Sequence, residues 1–218
     1  MPEATQQKSV TDYLNALVWD GTPRIDRWLV DCAGADDTPD VRAVSRALLV
    51  AAVRRARHPG CQFDQMLVLE GPQGCGKSSA LRLLAVDDAW FTDDAPITDD
   101  ARKIIEATHG KWIVEMAELT GTGMDRSDSA AFKSFLSRSA DVARMPYQRD
   151  QTRVLRQFVV VGTSGSSDYL RDTGSRRFWP VRVRRFDLKR LAEVRDQLWA
   201  EAAVIEATGE AIDPARAV

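Results

Sequence analysis

Between the apolar run MLVLE and the apolar stretch ALRLLA lie nine residues, GPQGCGKSS, from Gly71 to Ser79. Gly71, Gly76, Lys77 and Ser78 meet the spacing G-x-x-x-x-G-K-[ST], and Gly74 adds a further glycine. Glycines let a loop wrap a polyphosphate with its backbone N–H groups, and the N-terminus of the helix that follows adds roughly half a positive charge. Lys77 is then placed to reach the β and γ phosphates, and Ser78 to ligate Mg²⁺. The nucleotide-holding segment is read as Gly71, Pro72, Gln73, Gly74, Cys75, Gly76, Lys77, Ser78 and Ser79. Its place between a strand and a helix, where the mechanism requires it, separates it from a chance glycine-rich turn.

Hydrolysis also requires an acid behind the metal and a group that orients the attacking water. KWIVEMAELT offers an apolar strand with two carboxylates, Glu115 and Glu118. Glu118 lies near the strand's C-terminal end, where ligands gather in open α/β sheets, and is read as the water-orienting residue. Glu115 is read as a direct or outer-sphere contact of Mg²⁺. The competing reading, two carboxylates facing solvent at a sheet edge, fits poorly with so apolar a strand. His58 and His109 have no partners at ligand spacing and are expected at the surface. Cys32, Cys61 and Cys75 are odd in number and widely spaced, which suggests neither a disulfide framework nor a zinc site.

The elements that must carry these groups follow from periodicity. Residues 1–60 read as a helical domain, with TDYLNALVW, RIDRWLVDC and the helix-spaced DVRAVSRALLVAAVRRAR, closed by His58-Pro59-Gly60. QMLVL, KWIVEMAEL, VLRQFVVVGTS and RRFWPVRVRRF read as strands. Helices are expected from Gly76 or Lys77 to about Ala85, through ARKIIEATH and through SAAFKSFLSRS. The final segment, 187–218, reads as a short C-terminal helix and tail, in which DLKRLAEVRDQLWAEAAVIEA forms one amphipathic helix with Leu188, Leu191, Val194, Leu198 and Ala202 at intervals of three or four. Strands alternating with helices over 61–186 predict an α/β core with a mainly parallel sheet. Trp19, Trp28, Trp112 and Trp179 are expected to pack rather than to stack on a ligand.

A chain of 218 residues with 44% hydrophobic and 28% charged side chains has the composition of a soluble globular protein. No run is long and apolar enough for a membrane span, and the polar start lacks a signal-peptide core, so a cytoplasmic location is expected. The net charge of −2 conceals an asymmetry: Lys133 to Arg190 holds 14 basic against 5 acidic side chains, a balance of +9.

YLNALVWDGTPRIDRWL, LEGPQGCGKSS, WIVEMAEL, FKSFLSRSADVARMPY and LRDTGSRRFWPV, followed by LWAEA, resemble in content and order the virulence-associated E (VirE-type) family. Those proteins are ATPases of prophages, plasmids and genomic islands, related to superfamily 3 helicases and to phage primase-helicases. The resemblance spans about residues 12 to 207. It implies a P-loop NTPase of the ASCE type, AAA+ or superfamily 3 helicase-like, using ATP and Mg²⁺. WIVEMAEL matches the Walker B segment, with Glu118 as the recurring acid. QFVVVGTS ends where the family places sensor 1, usually an asparagine; Gly165 stands there, and Thr163, Ser164 or Ser166 is left to supply the polar group. Asp20-Gly21 matches a family signature and is expected to form the turn at which the helical region docks.

Arg176 and Arg177 match the family's paired arginines. They imply a finger reaching a neighbouring subunit's nucleotide, where a planar, permanently charged fork neutralises the transferring phosphoryl. Between the acidic and sensor strands, the resemblance implies an inserted β-hairpin that touches single-stranded DNA. Arg144, Tyr147, Arg149, Arg153 and Arg156 are its candidate contacts, four cations for phosphates and one ring for stacking. The expected protein is therefore an ATP-driven, helicase-like motor on single-stranded or forked DNA, a homo-oligomeric ring, with a primase or other replication protein as partner. Two rivals remain open at this point: a non-catalytic nucleotide switch or DNA-binding module, and a small P-loop kinase.

Overall fold

Strand β1 (Met66–Glu70) is buried along its whole length, as a strand covered on both faces must be. In the computed structural model, residues 9–96, 100–117, 119, 126–146, 150–165 and 177–212 are described, with backbone alone at 126–130. β1 lies in a five-stranded sheet with β2 (Phe91–Thr92), β3 (Ile113–Met116), β6 (Val159–Ser164) and β7 (Phe178–Arg182). The spatial order is β2-β3-β6-β1-β7, and every pairing is parallel. β6 therefore separates β1 from the acidic strand β3, with Leu69 beside Thr163 and Glu115 beside Val161.

The two-residue period of the strands sorts their side chains onto two faces. Leu67, Leu69, Ile113, Val159 and Val161 join one apolar cluster with the helices α1 (Val10–Ala16), α2 (Trp28–Ala33), α3 (Pro39–Arg57), α4 (Lys77–Leu84) and α7 (Leu188–Ala207). Met66, Val68, Val114, Met116 and Val160 join a second cluster with Ile104 of α5 (Ala101–Thr108) and Phe132, Phe135 and Leu136 of α6 (Arg126–Ser137). The expected α/β fold with a mainly parallel sheet is what forms.

Local chemistry sets the helix ends. Thr38 caps α3 by accepting from Val41 N–H, and Pro39 occupies the first turn, where its missing N–H costs nothing. Ser9 and Asp12 form a reciprocal capping box on α1. Gly34, in the left-handed region at φ 65°, ends α2.

Two expectations change. The C-terminal helix is not short: α7 runs for 20 residues, and Leu191, Leu198, Trp199 and Ala202 are fully buried in the first cluster. Its amphipathic stripe is matched by α3 and α4, so it serves as core rather than appendage. VLRQFVVVGTS is not one strand. It divides into β5 (Thr152–Leu155), paired antiparallel with β4 (Ala140–Ala143), and β6, because Arg156 turns inward between them. Trp28 and Trp112 are buried as expected, while Trp19 and Trp179 are half-buried. The indole N–H of Trp112 donates to Ala52 O and that of Trp199 to Leu84 O, each at 2.9 Å, and the two rings lie 4.2 Å apart.

Asp20-Gly21 does form a docking turn, with Gly21 at φ 83°. The Asp20 carboxylate accepts from Thr22 N–H and pairs with Arg24, while the Asp20 N–H donates to Gln197 Oε1. The buried Glu201 Oε2 accepts the N–H groups of Arg24 and Ile25. The turn thus seats on α7.

Candidate functional site

The loop after β1 is held from three sides. Gly71 N–H donates to Ser164 O of β6 at 3.1 Å, Cys75 O accepts from Phe186 N–H at 2.8 Å, and Lys77 folds back over the loop. A Cβ at Gly71 would lie 2.6 Å from Val183 O and 2.9 Å from Val183 Cγ2, closer than atoms approach. Gly74 and Gly76 take φ of 76° and 91°, which side chains on Cβ disfavour. The glycines of the motif are there for two distinct reasons, close packing at Gly71 and backbone hand at Gly74 and Gly76.

Helix α4 begins at Lys77, and among the described residues no side chain caps its N-terminus. Its first N–H groups remain available to an anion, with the helix dipole aligned the same way. Lys77 Nζ donates to Gly71 O at 2.7 Å and to Pro72 O at 2.9 Å, which holds the ammonium across the loop mouth. An open cleft of about 570 Å³ lies in front, lined by Gln73, Gly74, Gly76, Lys77, Ser78 and Ser79 on one side and Ala117, Thr163, Ser164 and Gly165 on the other. Its volume is within the range of small-molecule sites.

Glu115 is brought to this cleft by topology. The crossover from β1 to β2 carries α4 over β6 and β3, so Ser78 meets the acidic strand. Ser78 Oγ donates to Glu115 Oε1 at 2.7 Å, and Thr163 Oγ1 of β6 donates to the same oxygen at 2.8 Å. Glu115 is 1% exposed, and its Oε2 accepts no hydrogen bond among the described residues. A buried carboxylate oxygen without a donor carries a desolvation cost that a cation would remove. Among the described residues no three His, Cys, Asp or Glu side chains gather as a metal cage. One carboxylate and one serine hydroxyl suit Mg²⁺, which keeps waters and takes substrate phosphates as its other ligands. The residues present therefore fit a divalent cation held between Ser78 and Glu115.

The other expected site residues fall differently. Glu118, Arg176, Tyr147, Arg149 and Ser166 lie outside the described residues. Gly165 lines the cleft, and nothing lies within 4 Å of a Cβ built on it. Arg177 precedes the N-terminal end of β7, where its O accepts from Met66 N–H and its Nε donates to Asp64 at 3.1 Å. A five-residue strand at about 3.3 Å per residue puts it roughly 16 Å from the loop end of the sheet, so it does not serve its own cleft.

The hairpin β4–β5 stands where a hairpin was expected, with Arg144 and Arg153 exposed on it. Arg156 is not a surface contact. It is 2% exposed, forms a two-pronged pair with Asp141 at 2.6 and 2.7 Å, donates to Phe135 O, and lies over the Phe135 ring at 4.4 Å. Its charge is consumed in tying the hairpin's base to α6. Sequence reading also missed the Val183–Asp187 connector. Arg184 and Arg185 N–H donate to Ala33 O, Phe186 N–H to the loop, and Asp187 N–H to Cys32 O. Nothing in a run of five residues announces such long-range backbone pairing.

The order of this sheet, a glycine-rich turn into helix α4, and a hydroxyl-bound acid on β3, beyond β6, define an α/β protein with a polar cleft at its strand ends. The virulence-associated protein E-like domain model matches residues 14–216, and the chain belongs to that family. No curated protein matches it. Among solved structures, the apo C-terminal region of NrS-1 (305–718) is similar at 12% identity with a TM-score of 0.61, over 94% of this chain and 50% of that one. The A form of the same region gives 12% identity and 0.58 over 88% and 48%. The chain thus spans about half the length of these relatives in fold, and their likeness concerns the fold.

No helix among the described residues is long and apolar enough to cross a membrane.

Proposed function

We propose that this chain is a P-loop NTPase of the ASCE type that binds ATP with Mg²⁺ in the cleft and hydrolyses it to drive a helicase-like motor on DNA, in replication of a mobile element. The observation that carries the reading is the Ser78–Glu115–Thr163 cluster beside the N-terminus of α4, with one glutamate oxygen left without a partner among the described residues. The loop N–H groups and Lys77 hold the phosphates; Ser78 and Glu115 hold the cation. Mg²⁺, when bound, neutralises charge on the transferring phosphoryl group. Glu118 orients the water, and Arg176 or Arg177 acts from a neighbouring subunit in a ring. The remoteness of Arg177 from its own loop is compatible only with that trans role or with a structural one. Arg144 and Arg153, with Tyr147 and Arg149, contact the DNA backbone and bases from the hairpin. Membership of the virulence-associated protein E-like family and the shared fold with the NrS-1 region support a replication setting, with a primase as a separate partner.

ATPase activity stimulated by single-stranded DNA, and lost in Glu118→Gln, is the expected result. A second reading, a nucleotide switch that does not turn over, is favoured by glycine at position 165, where a water-positioning side chain would stand. Tight ATP binding without phosphate release in the assembled protein selects the switch. A chain that stays monomeric with ATP and DNA by light scattering sinks the trans finger.

A further inference from the structure

A buried glutamate is a flexible ligand. It has one more rotatable bond than aspartate, and a carboxylate free to turn presents either oxygen to a metal. In this chain Glu115 is secured by two hydroxyls from two different elements, Ser78 of α4 and Thr163 of β6, both on Oε1. The two are not equivalent. Ser78 belongs to the loop that takes the nucleotide, and its hydroxyl has a single proton; while that proton stays on Glu115, its lone pairs remain available to a cation. Thr163 sits in the sheet interior, 4% exposed, on a strand whose next residue, Ser164, accepts the Gly71 N–H.

We infer that Thr163 is the positioning residue of the cation site: its hydroxyl fixes Glu115 through Oε1 and leaves Oε2, buried and without a partner among the described residues, as the oxygen offered to the metal. This rests on the nucleotide-binding reading above and deepens it. The polar group at the end of β6 then acts on the metal through Glu115 rather than on the water. That accounts for the absence of a side chain at Gly165: the task of β6 is performed two residues earlier on the same face of the strand. Preorganisation of this kind matters before the ligand arrives, because a site that must order its own carboxylate loses part of the binding free energy in doing so.

The test is a titration of Mn²⁺, followed by its paramagnetic resonance signal, into the purified chain with a fluorescent ADP analogue, so that no turnover is involved. Nucleotide affinity is measured in parallel in chelator. Thr163→Val keeps the shape and removes the donor; Thr163→Ser restores it. Thr163→Val is expected to weaken Mn²⁺ binding by about 10-fold or more, the usual cost of losing an outer partner of a metal ligand, with metal-free nucleotide affinity unchanged. Thr163→Ser is expected to return to the wild-type value. Equal Mn²⁺ affinity in wild type and Thr163→Val overturns the inference, as does a loss in Thr163→Val that Thr163→Ser does not rescue. Thr163→Ala, read the same way, replaces Thr163→Val if that variant does not fold. A wild-type chain that binds no nucleotide removes the underlying reading itself, an outcome distinct from the other two.

Discussion

Arg156 and Arg153 lie three residues apart and carry the same charge, yet the structure predicts opposite consequences for removing them. Arg156 and Asp141 are 2% and 4% exposed and are joined by two hydrogen bonds. Removing either partner leaves the other charge buried without compensation, which costs about 3–5 kcal/mol. At about 2–4 °C per kcal/mol for a chain of this size, Arg156→Met or Asp141→Asn should lower the melting midpoint by roughly 6–20 °C. The double replacement Arg156→Met/Asp141→Leu should cost far less than the two single ones together, because no charge is stranded. Arg153 is exposed, and Arg153→Ala should leave the midpoint unchanged. It should instead weaken single-stranded DNA binding across all sequences and reduce the slope of log affinity against log salt by about 0.7, one phosphate contact. The assays are thermal unfolding by circular dichroism and fluorescence anisotropy of labelled oligonucleotides at several salt concentrations. Arg156→Met with an unaltered midpoint and abolished DNA binding would refute the reasoning, since the arginine would then be a contact and not a clamp.

Gly71→Ala places a methyl group 2.6 Å from Val183 O, so stability should fall by about 1–3 kcal/mol in urea titrations and nucleotide binding should be lost with it. Lys77→Met removes one charged hydrogen-bond donor worth about 1.5–3 kcal/mol, which predicts a 10- to 100-fold loss of affinity for ATP with the fold intact, checked by calorimetry. Acid should act through Asp20, Asp37 and Glu210. Arg24, Arg42 with Arg27, and Arg46 hydrogen-bond to them in turn and hold each carboxyl below its ordinary range. Their folded-state pKa values lie below the unfolded ones, so the stability they add is present above about pH 4 and is lost as the pH falls through the folded values. Burial raises Glu201 instead, so its contribution has the opposite sign, present at low pH and lost as the pH rises through its folded value. A urea midpoint that declines steadily below about pH 4 is expected, and a flat profile there counts against the ion pairs of the N-terminal region.

Much of this protein is written locally. The motif Gly71–Ser78 is legible because backbone hand and phosphate chemistry demand particular residues at particular spacings within one turn, and the structure places it between β1 and α4 as that chemistry requires. The buried strands are legible from continuous apolar runs; the hairpin is expected only through the family resemblance. What required the tertiary structure is everything that depends on strand order. Sequence leaves Glu115 either facing solvent or near Mg²⁺. Only the insertion of β6 between β1 and β3, with α4 crossing over both, brings Ser78 and Thr163 onto its Oε1. Likewise Arg156 looks like one more cation in a basic stretch until Asp141, Phe135 and Phe158 are seen to enclose it, and the amphipathic C-terminal helix is legible by its spacing while the partners of its apolar stripe, α3 and α4, are not. Spacing along a chain specifies what can happen within a few residues, where geometry is covalent. Which distant side chains share a buried site is decided by the sheet's order of assembly, which no short window of sequence contains.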